Sequence, residues 1–512
     1  MASTTTSCEL HARTSASSTA LSSAVNLLNN IIGAGLFSMP WCLAQATLVS
    51  GSVIFVIVTL LNVYSFMLLA SCCSMTGCYS YLDIGQQALG PRFGALVQTT
   101  AILYACGSLI SYVVLAGAQL MVCIVACVAA SRHRIAACVC MCCRLYVLQT
   151  DLQSVSTGDF LLGEDTGILP LIGKGVPFLA HGGLLAHVAI GFAFSALGFF
   201  PLSTLRNLDS LKLTSWLALV ATLYAGFVTL FELAASPPGA LTPEEAAIGR
   251  DALRSSVVVA GAPLGIFSAL PIVNVAFTAH YNAPRYFQEL ESRTIGRYVM
   301  VTGGALVGAL AVYLSVGVSG YLSFGNETKG DVLENFADGY TLAVGARGAL
   351  LIVLISCYPK VQHSVRDGLL RMIGGRSTDD ASPRQLTLVA AAVVGATTLI
   401  GTLVDHVEVV LAYKGAIFGS LLVYVWPAVM HSALVEQRTD HGLLSAEGLL
   451  PDSLSAVQTD FPARASKPPT PRKVLMAMMT TRRHLGPLLL LVWGVVTGTL
   501  GVAETVRKQF FA

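Results

Sequence analysis

Long apolar stretches dominate the chain, and shorter polar connections separate them. Between Thr14 and Leu82 there is no Asp, Glu, Lys, Arg or His, which is room for two membrane spans, because one span needs about 20 apolar residues. The same pattern predicts eleven spans, at about 22–46, 52–73, 97–129, 183–203, 213–234, 257–280, 299–323, 341–361, 385–404, 408–431 and 486–504. The predicted fold class is therefore an all-α integral membrane protein.

The polar connections predict the topology. Most Lys and Arg residues outside the spans fall on one side if the N-terminal tail, residues 1–21, is cytoplasmic, and cytoplasmic loops are the ones enriched in these residues. The cysteine-rich segment 131–182 then forms a long outer loop. Residues 436–484, which include the Pro-rich run 467–471, form a flexible cytoplasmic linker. A last span and a short outer tail occupy 485–512.

The first span contains a break in its helical pattern. Asn26, Asn29 and Asn30 precede Gly33-Ala34-Gly35 in mid-span, and Pro40 follows. Interrupted backbone at membrane depth is tolerated only where it is buried in protein or lines a polar cavity, and glycine lets backbone approach a ligand closely. The half-helix after the break points its positive dipole end at an anion such as a substrate carboxylate. A helix-packing face is the alternative, although the Gly33–Gly35 spacing does not fit the usual motif.

A second candidate break lies in the sixth span, between residues 268 and 282, where Pro271 can kink the helix. Spans one and six occupy corresponding positions if residues 22–250 and 251–435 form two repeats of five spans each. Paired interrupted helices in two halves indicate an inverted-repeat transporter with its site at the midplane. Asn30, Asn274 and Phe277 lie beside the two breaks and join the candidate substrate residues Gly33, Ala34 and Gly35.

Composition supports a surface that faces lipid rather than water. Of the 512 residues 54% are hydrophobic and only 11% are charged, about half the charged fraction of a soluble domain. The net charge of +2 gives no reason to expect a nucleic-acid partner. The expected partners are the lipid bilayer and a small molecule, and the sequence predicts no oligomeric state.

Several short motifs, in the same order and spacing, resemble the amino acid/auxin permease family and, within it, the sodium-coupled neutral amino acid transporter branch. They are 26–40, 77–90, 200–208, 277–289, 320–325, Tyr358-Pro359 with Arg366, and Trp426-Pro427-Ala428. The resemblance implies eleven spans in a leucine-transporter-like arrangement of two five-helix repeats plus one C-terminal helix. It also implies symport of small, neutral amino acids.

The resemblance also implies a cation site. Asn29 matches the family's amide near sodium in the first helix, and Ser356 is the hydroxyl nearest to the partner position in the eighth. Backbone carbonyls around Ile32 would supply further oxygens, because a hard cation needs several. No metal ligand set, and no cofactor other than a coupled Na⁺ or H⁺, is predicted. The run 138–143, with four cysteines, has no counterpart in the family; a zinc site there is less favoured than packing or oxidised cysteines.

Two titratable residues within or near the spans remain open to more than one interpretation. His280 could couple transport to protons or make a hydrogen bond that contributes to a gate. Lys414, where the family is usually apolar, could pair with another helix, mimic a bound cation or extend its ammonium group to the interface.

We therefore expect a secondary active transporter that carries small, neutral amino acids with sodium or protons. Its membrane would be the plasma membrane or a vacuolar or lysosomal membrane. The alternative is an amino-acid sensor on a transporter fold that signals through its cytoplasmic loop. An enzyme ranks third, because no phosphate-binding loop, His-Glu-x-x-His or Gly-x-Ser-x-Gly motif is present.

Overall fold

The computed structural model describes residues 20–131, 191–192, 194–205, 212–236, 239–261, 264–291, 293–337, 339–374, 378, 381–404, 407–440 and 468–511. The predictions for the N-terminal tail, for nearly all of the cysteine-rich loop and for the middle of the cytoplasmic linker lie outside these residues.

The described chain is built from helices in the following order. They are α1 Ala20–Ile31, α2 Met39–Ala46, α3 Leu48–Thr76, α4 Tyr81–Leu89, α5 Pro91–Ser131, α6 Phe200–Ser203, α7 Lys212–Ala235, α8 Pro243–Ile248, α9 Arg250–Ser255, α10 Ile266–Ala276, α11 Ala283–Glu289, α12 Ile295–Phe324, α13 Thr341–Gly374, α14 Pro383–Gly401, α15 Val407–Tyr413, α16 Trp426–Asp440, α17 Pro471–Thr480 and α18 Leu485–Phe511. Short 3₁₀ turns lie at Ala34–Ser38, His280–Asn282, Gly325–Glu327, Val332–Asn335 and Arg482–His484, and π turns lie at Ser195–Phe199, Lys414–Gly419 and Leu421–Val425.

Eight stretches of helix within the described part are long and apolar enough to cross a membrane. They are Leu48–Thr76, Pro91–Gly117, Leu217–Ala235, Ile295–Glu327, Thr341–Ile373, Pro383–Gly401, Val407–Thr439 and Arg482–Phe510. A ninth span is a bent pair, Ser23–Ile31 with Gly35–Ala46. The all-α membrane fold is confirmed. The count of eleven is not, since residues 183–190 and 193 of the fourth predicted span lie outside the described residues, and the described part of the sixth contains only the 11-residue helix α10. The division into two repeats stays a prediction.

The tenth span is helical throughout but wound in an unusual way. Its α-helical start, α15, passes into two consecutive π turns before α16 continues to Asp440, nine residues beyond the predicted end. A π turn holds an extra residue and is frequent at functional sites. The first π turn begins at Lys414, so the wider winding starts at the one charged residue of this span's interior.

Helix α12 is a central packing element. It contacts α1 and α2 on one side and α3 and α7 on others, and its residue Tyr313 is fully buried. Large apolar side chains on the outer faces of the bundle are exposed instead, among them Leu60, Val220 and Met300. This distribution is the one expected where the surrounding solvent is lipid. The bundle therefore surrounds both broken helices with protein.

Candidate functional site

The first span is interrupted where the sequence predicts it. Helix α1 ends at Ile31, Gly33 is extended with φ −122° and ψ −151°, and the chain resumes as a 3₁₀ turn and then α2. The two halves are bent by 51°. Pro40 lies in the first turn of α2, a position where the absent N–H has no intrahelical partner to lose. The sequence thus encodes both the break and the restart.

The two glycines of the break have different surroundings. A Cβ placed on Gly33 would make ordinary van der Waals contacts, with the Tyr112 hydroxyl at 3.8 Å and Ile31 O at 4.0 Å. A Cβ on Gly35 would lie 3.1 Å from the Cβ of Ala276, which is tighter than ordinary packing. Gly35 therefore serves the close approach of two helices, and the surroundings of Gly33 are less tight.

The sixth span is interrupted after Pro271. Pro271 lies inside α10, and helical winding stops only at Phe277; a 3₁₀ turn and α11 follow. The break therefore falls within the predicted stretch 268–282, but not at Pro271 itself. Two side chains satisfy the carbonyls at the true end: the Thr278 hydroxyl donates to Asn274 O at 2.6 Å, and the Tyr313 hydroxyl lies 2.9 Å from Ala276 O. Such partners stabilise a helix end that would otherwise leave buried acceptors unpaired.

Tyr313 connects the two breaks. Its hydroxyl lies 2.7 Å from Ile31 O, at the end of α1, as well as 2.9 Å from Ala276 O, at the end of α10. Its ring packs edge-on against Phe277 with centroids 5.0 Å apart. One side chain of α12 therefore contacts the terminal carbonyls of both interrupted helices. Sequence reasoning missed this residue, because a lone tyrosine in an apolar span gives no signal.

A row of polar and aromatic side chains leads from the first break to Lys414. The Tyr281 hydroxyl donates to Asn30 Oδ1 at 2.9 Å, and the Tyr281 ring stacks on Tyr104 at 6.0 Å. The Lys414 ammonium lies 5.0 Å from the centroid of the Tyr104 ring and donates to Ser108 Oγ at 3.0 Å. Lys414 is 5% exposed, so it points into the bundle and does not extend to the interface. No carboxylate pairs with it in the part of the chain described.

The predicted cation residues are all buried but differ in their partners. Both amide atoms of Asn29 lack a hydrogen-bond partner among the described residues, so its amide oxygen is available to a ligand. Ile32 is 1% exposed. The Ser356 hydroxyl donates to Ile352 O of its own helix at 2.7 Å. Helix α13, which bears Ser356, contacts the 3₁₀ turn after the first break, which leaves Ser356 as a candidate.

The remaining candidates lie around α10 and its end. The Asn274 side chain lines a small cavity with Ser420, Tyr424 and Trp493, on the side of α10 that faces the tenth and last spans. Phe277 is fully buried between Tyr313 and Phe55. The structure thus places Phe277 beside Tyr313, and Asn274 lines a separate cavity.

His280 follows the second break and is completely buried. Its ring stacks on Phe66 with centroids 4.0 Å apart, and neither ring nitrogen has a hydrogen-bond partner among the described residues. The Tyr81 hydroxyl donates to the His280 carbonyl at 2.6 Å instead. The predicted hydrogen bond of the imidazole is therefore not seen in this conformation, and the ring is held by stacking.

Comparison with known proteins places this architecture in context. A family profile described as "Transmembrane amino acid transporter protein" matches residues 16–156 and 173–441. "Vacuolar amino acid transporter 5" of Schizosaccharomyces pombe is 22% identical over 415 residues, which are 80% of this chain and 83% of the relative. "Putative sodium-coupled neutral amino acid transporter 11" of Danio rerio is 22% identical over 428 residues, which are 83% of this chain and 81% of the relative.

Among solved structures, a similar chain is Mhp1, a nucleobase-cation-symport-1 family transporter in a closed conformation with bromovinylhydantoin bound. It is 11% identical with a TM-score of 0.45, and the alignment covers 96% of this chain and 94% of Mhp1.

Proposed function

This chain belongs to the transmembrane amino acid transporter family, and from that premise we propose that it is a symporter of small, neutral amino acids driven by a cation gradient. Family membership makes it a multi-pass membrane transporter rather than an enzyme. The observation that supports the proposal is the meeting of two interrupted helices at Gly35 and Ala276, with Tyr313 at the ends of both.

The substrate carboxylate would bind at the first break. The segment Gly33–Gly35 exposes backbone amides at the start of the second half-helix, whose positive dipole end favours an anion. The carboxylate would bind beside Gly33, near the Tyr112 hydroxyl, which lies 3.8 Å from the position of a Cβ on that residue. The mechanism follows from this placement: one bundle rocks against the other around a fixed site, and the broken helices change their contacts.

The coupled cation is sodium or a proton, and each alternative has its own residues. For sodium, Asn29 contributes an amide oxygen without a partner among the described residues, and Ile32 and Ser356 are its proposed companions. For a proton, His280 and Lys414 are the buried titratable groups nearest to the second break and to the aromatic row. The name of the Danio rerio relative supports sodium coupling and neutral substrates.

The membrane is proposed to be the plasma membrane or a vacuolar or lysosomal membrane. The name of the Schizosaccharomyces pombe relative supports the vacuolar alternative. The N-terminus is proposed to be cytoplasmic, because the Lys and Arg residues of the connections are concentrated on that side.

Uptake by proteoliposomes tests the proposal. The purified chain would be reconstituted and given a panel of labelled acidic, basic and neutral amino acids, with a sodium gradient and a proton gradient imposed in separate experiments. We expect accumulation of small neutral amino acids under one of the two gradients. Failure of every amino acid to accumulate under either gradient would contradict the proposal.

A matched pair of asparagine variants tests the sodium site. In Asn29→Ala, sodium dependence should be lost or its half-saturating concentration should rise at least about tenfold, a loss of about 1.4 kcal/mol in binding. Asn26→Ala is the control, because Asn26 lies on the same helix with its side chain exposed. Equal sodium dependence in both variants would exclude Asn29 as a ligand.

A further inference from the structure

Asp331 is a buried carboxylate in the connection between α12 and α13, and the proposed function assigns it no role. Its Oδ2 accepts a hydrogen bond from Gln119 Nε2 of α5 at 2.6 Å, and its Oδ1 accepts from the Leu333 backbone N–H at 3.0 Å. Asp331 is 2% exposed and Gln119 1% exposed. A carboxyl group thus joins a surface connection to a long spanning helix inside the protein.

The connection that contains Asp331 lies on the broken first helix. The 3₁₀ turn Val332–Asn335 contacts the 3₁₀ turn Ala34–Ser38, which follows Gly33. Val332 and Pro40 of α2 both pack against Gly320, where an added Cβ would lie 3.2 Å from Val332 and 2.5 Å from Pro40. We call residues 328–337 the covering loop. Its displacement would uncover the segment to which the substrate carboxylate is assigned.

Charged groups from three elements surround the Asp331 carboxyl. Glu334 lies in its own turn, Arg347 comes from α13, and Glu408 comes from the start of the tenth span. The Glu408 carboxylate is so close to the loop that a Cβ on Gly330 would lie 2.9 Å from its Oε2. Arg347 donates to Leu333 O at 2.8 Å and to Phe336 O at 3.0 Å, so it fixes the loop backbone.

Burial and the two glutamates raise the pKa of Asp331 from its ordinary value of 3.8 to about 7, against the lowering effects of the Leu333 amide and Arg347. The contact with Gln119 is consistent with a proton at this position. A separation of 2.6 Å is short for an amide N–H···O bond and ordinary for O–H···O. Because amide oxygen and nitrogen are assigned by inference, half a turn of the Gln119 amide would present its Oε1, which lacks a partner among the described residues, to an Asp331 hydroxyl.

We infer that the Asp331 carboxyl is a proton-binding site that holds the covering loop closed over the first break, so that opening of the loop releases a proton to water. The inference rests on the proposed function and adds to it the place where a proton is exchanged. The direction follows from linkage: a carboxyl that binds its proton more tightly in the closed loop than in water makes the closed loop more stable as pH falls. Acidification therefore favours closure, and a rise through neutral pH favours opening.

Hydrogen exchange of the covering loop tests this site without any substrate. The purified full-length protein would be exchanged at several pH values from about 5.5 to 8.5, and rates for peptides within 328–337 would be corrected for the intrinsic effect of pH, because protection reports local opening. In the native protein we expect protection to fall as pH rises from about 5.5 to about 7, where the closed-loop carboxyl titrates, and to level off at higher pH. The pH at which protection levels off is the midpoint compared below. Uniform protection across this range would overturn the inference.

Three variants separate the Asp331 carboxyl from other titrating groups. Asp331→Asn, which keeps the shape without the titration, should remove the pH dependence. Glu334→Gln removes a neighbouring negative charge and should move the midpoint to lower pH. Glu327→Gln is the control, because Glu327 lies just before the loop with an exposed side chain, and its midpoint should equal the native one.

Each contrary outcome has a defined meaning. Persistence of the pH dependence in Asp331→Asn would overturn the inference. If that variant does not fold, an unshifted midpoint in Glu334→Gln would do so instead. Since exchange is measured without amino acids, a titrating loop in a protein that accumulates no amino acid would contradict the proposed function alone.

Discussion

Gly35 and Ala276 lie so close together that the first and sixth spans meet backbone to backbone at their interruptions. A Cβ on Gly35 would be 3.1 Å from the Ala276 Cβ and 3.2 Å from its Cα. A side chain at position 35 would require the neighbouring helix to move by a few tenths of an ångström, and glycine permits the approach without such a shift. The contact joins the two helices that the proposed mechanism requires to move. A change in their separation should therefore affect transport as well as packing.

A methyl group at this contact should separate the two helices. We expect Gly35→Ala to reduce uptake at least about tenfold and to destabilise the protein by about 1–3 kcal/mol, as overpacking does. Combining it with Ala276→Gly removes the colliding methyl group and should restore much of both properties. Gly303→Ala is the control, since an added Cβ there meets nothing within 4 Å. Uptake assays and thermal unfolding measure the effects; no rescue by the second substitution would contradict the contact as described.

Gly33 should respond differently from Gly35. Because a Cβ on Gly33 would make only ordinary van der Waals contacts, we expect Gly33→Val to lower the thermal unfolding temperature less than Gly35→Ala does. The larger side chain would occupy the proposed carboxylate position, so the concentration for half-maximal uptake should rise or uptake should disappear. The comparison is made with surface expression held equal. Native uptake kinetics in the variant would refute the assignment of the carboxylate to this place.

The Tyr313 hydroxyl should be needed for transport beyond its effect on stability. Tyr313→Phe leaves two helix-end carbonyls without this donor, a change that costs about 1–3 kcal/mol when the groups are buried. Tyr321 lies on the same helix and is also fully buried, but its hydroxyl accepts a hydrogen bond from Val258 N at 2.9 Å, away from the breaks. We expect Tyr321→Phe to lose similar stability and to keep its uptake. Equal loss of uptake in both variants would show that the Tyr313 hydroxyl contributes to stability and has no separate role in transport.

The Lys414 charge should lower the stability of the folded protein and contribute to transport. Among the described residues its polar partner is the Ser108 hydroxyl, and a buried charge without a counter-charge is unfavourable. Lys414→Met, similar in length, is therefore expected to unfold at the same or a higher temperature while its uptake loses dependence on the proton gradient. Lys508→Met near the end of α18 is the control. Unaltered uptake and gradient dependence in Lys414→Met would exclude a role in coupling.

Much of the architecture could be predicted because it depends on local sequence. Apolar runs of sufficient length define spans, and amides followed by Gly33 and Gly35 define the first break. The second break could not be located from Pro271, because the helix end is fixed by a hydroxyl from another span: Tyr313 is 37 positions from Ala276 and 282 from Ile31. The same limit applies to Asp331, whose partner Gln119 is 212 positions away. Long-range partners of single polar residues leave no pattern in the chain that contains them.

The Tyr313 hydroxyl has one hydrogen atom and two acceptors, Ile31 O and Ala276 O, at nearly equal distances. While the hydrogen points at one carbonyl, the other keeps its lone pairs available and has lost its nearest donor. Rotation about a single C–O bond exchanges the two states without moving a helix. The ends of the two interrupted helices thus share one hydrogen-bond donor, and only one of the two carbonyl oxygens can accept its hydrogen at a time. The other oxygen is then an acceptor for a cation or ammonium group that enters.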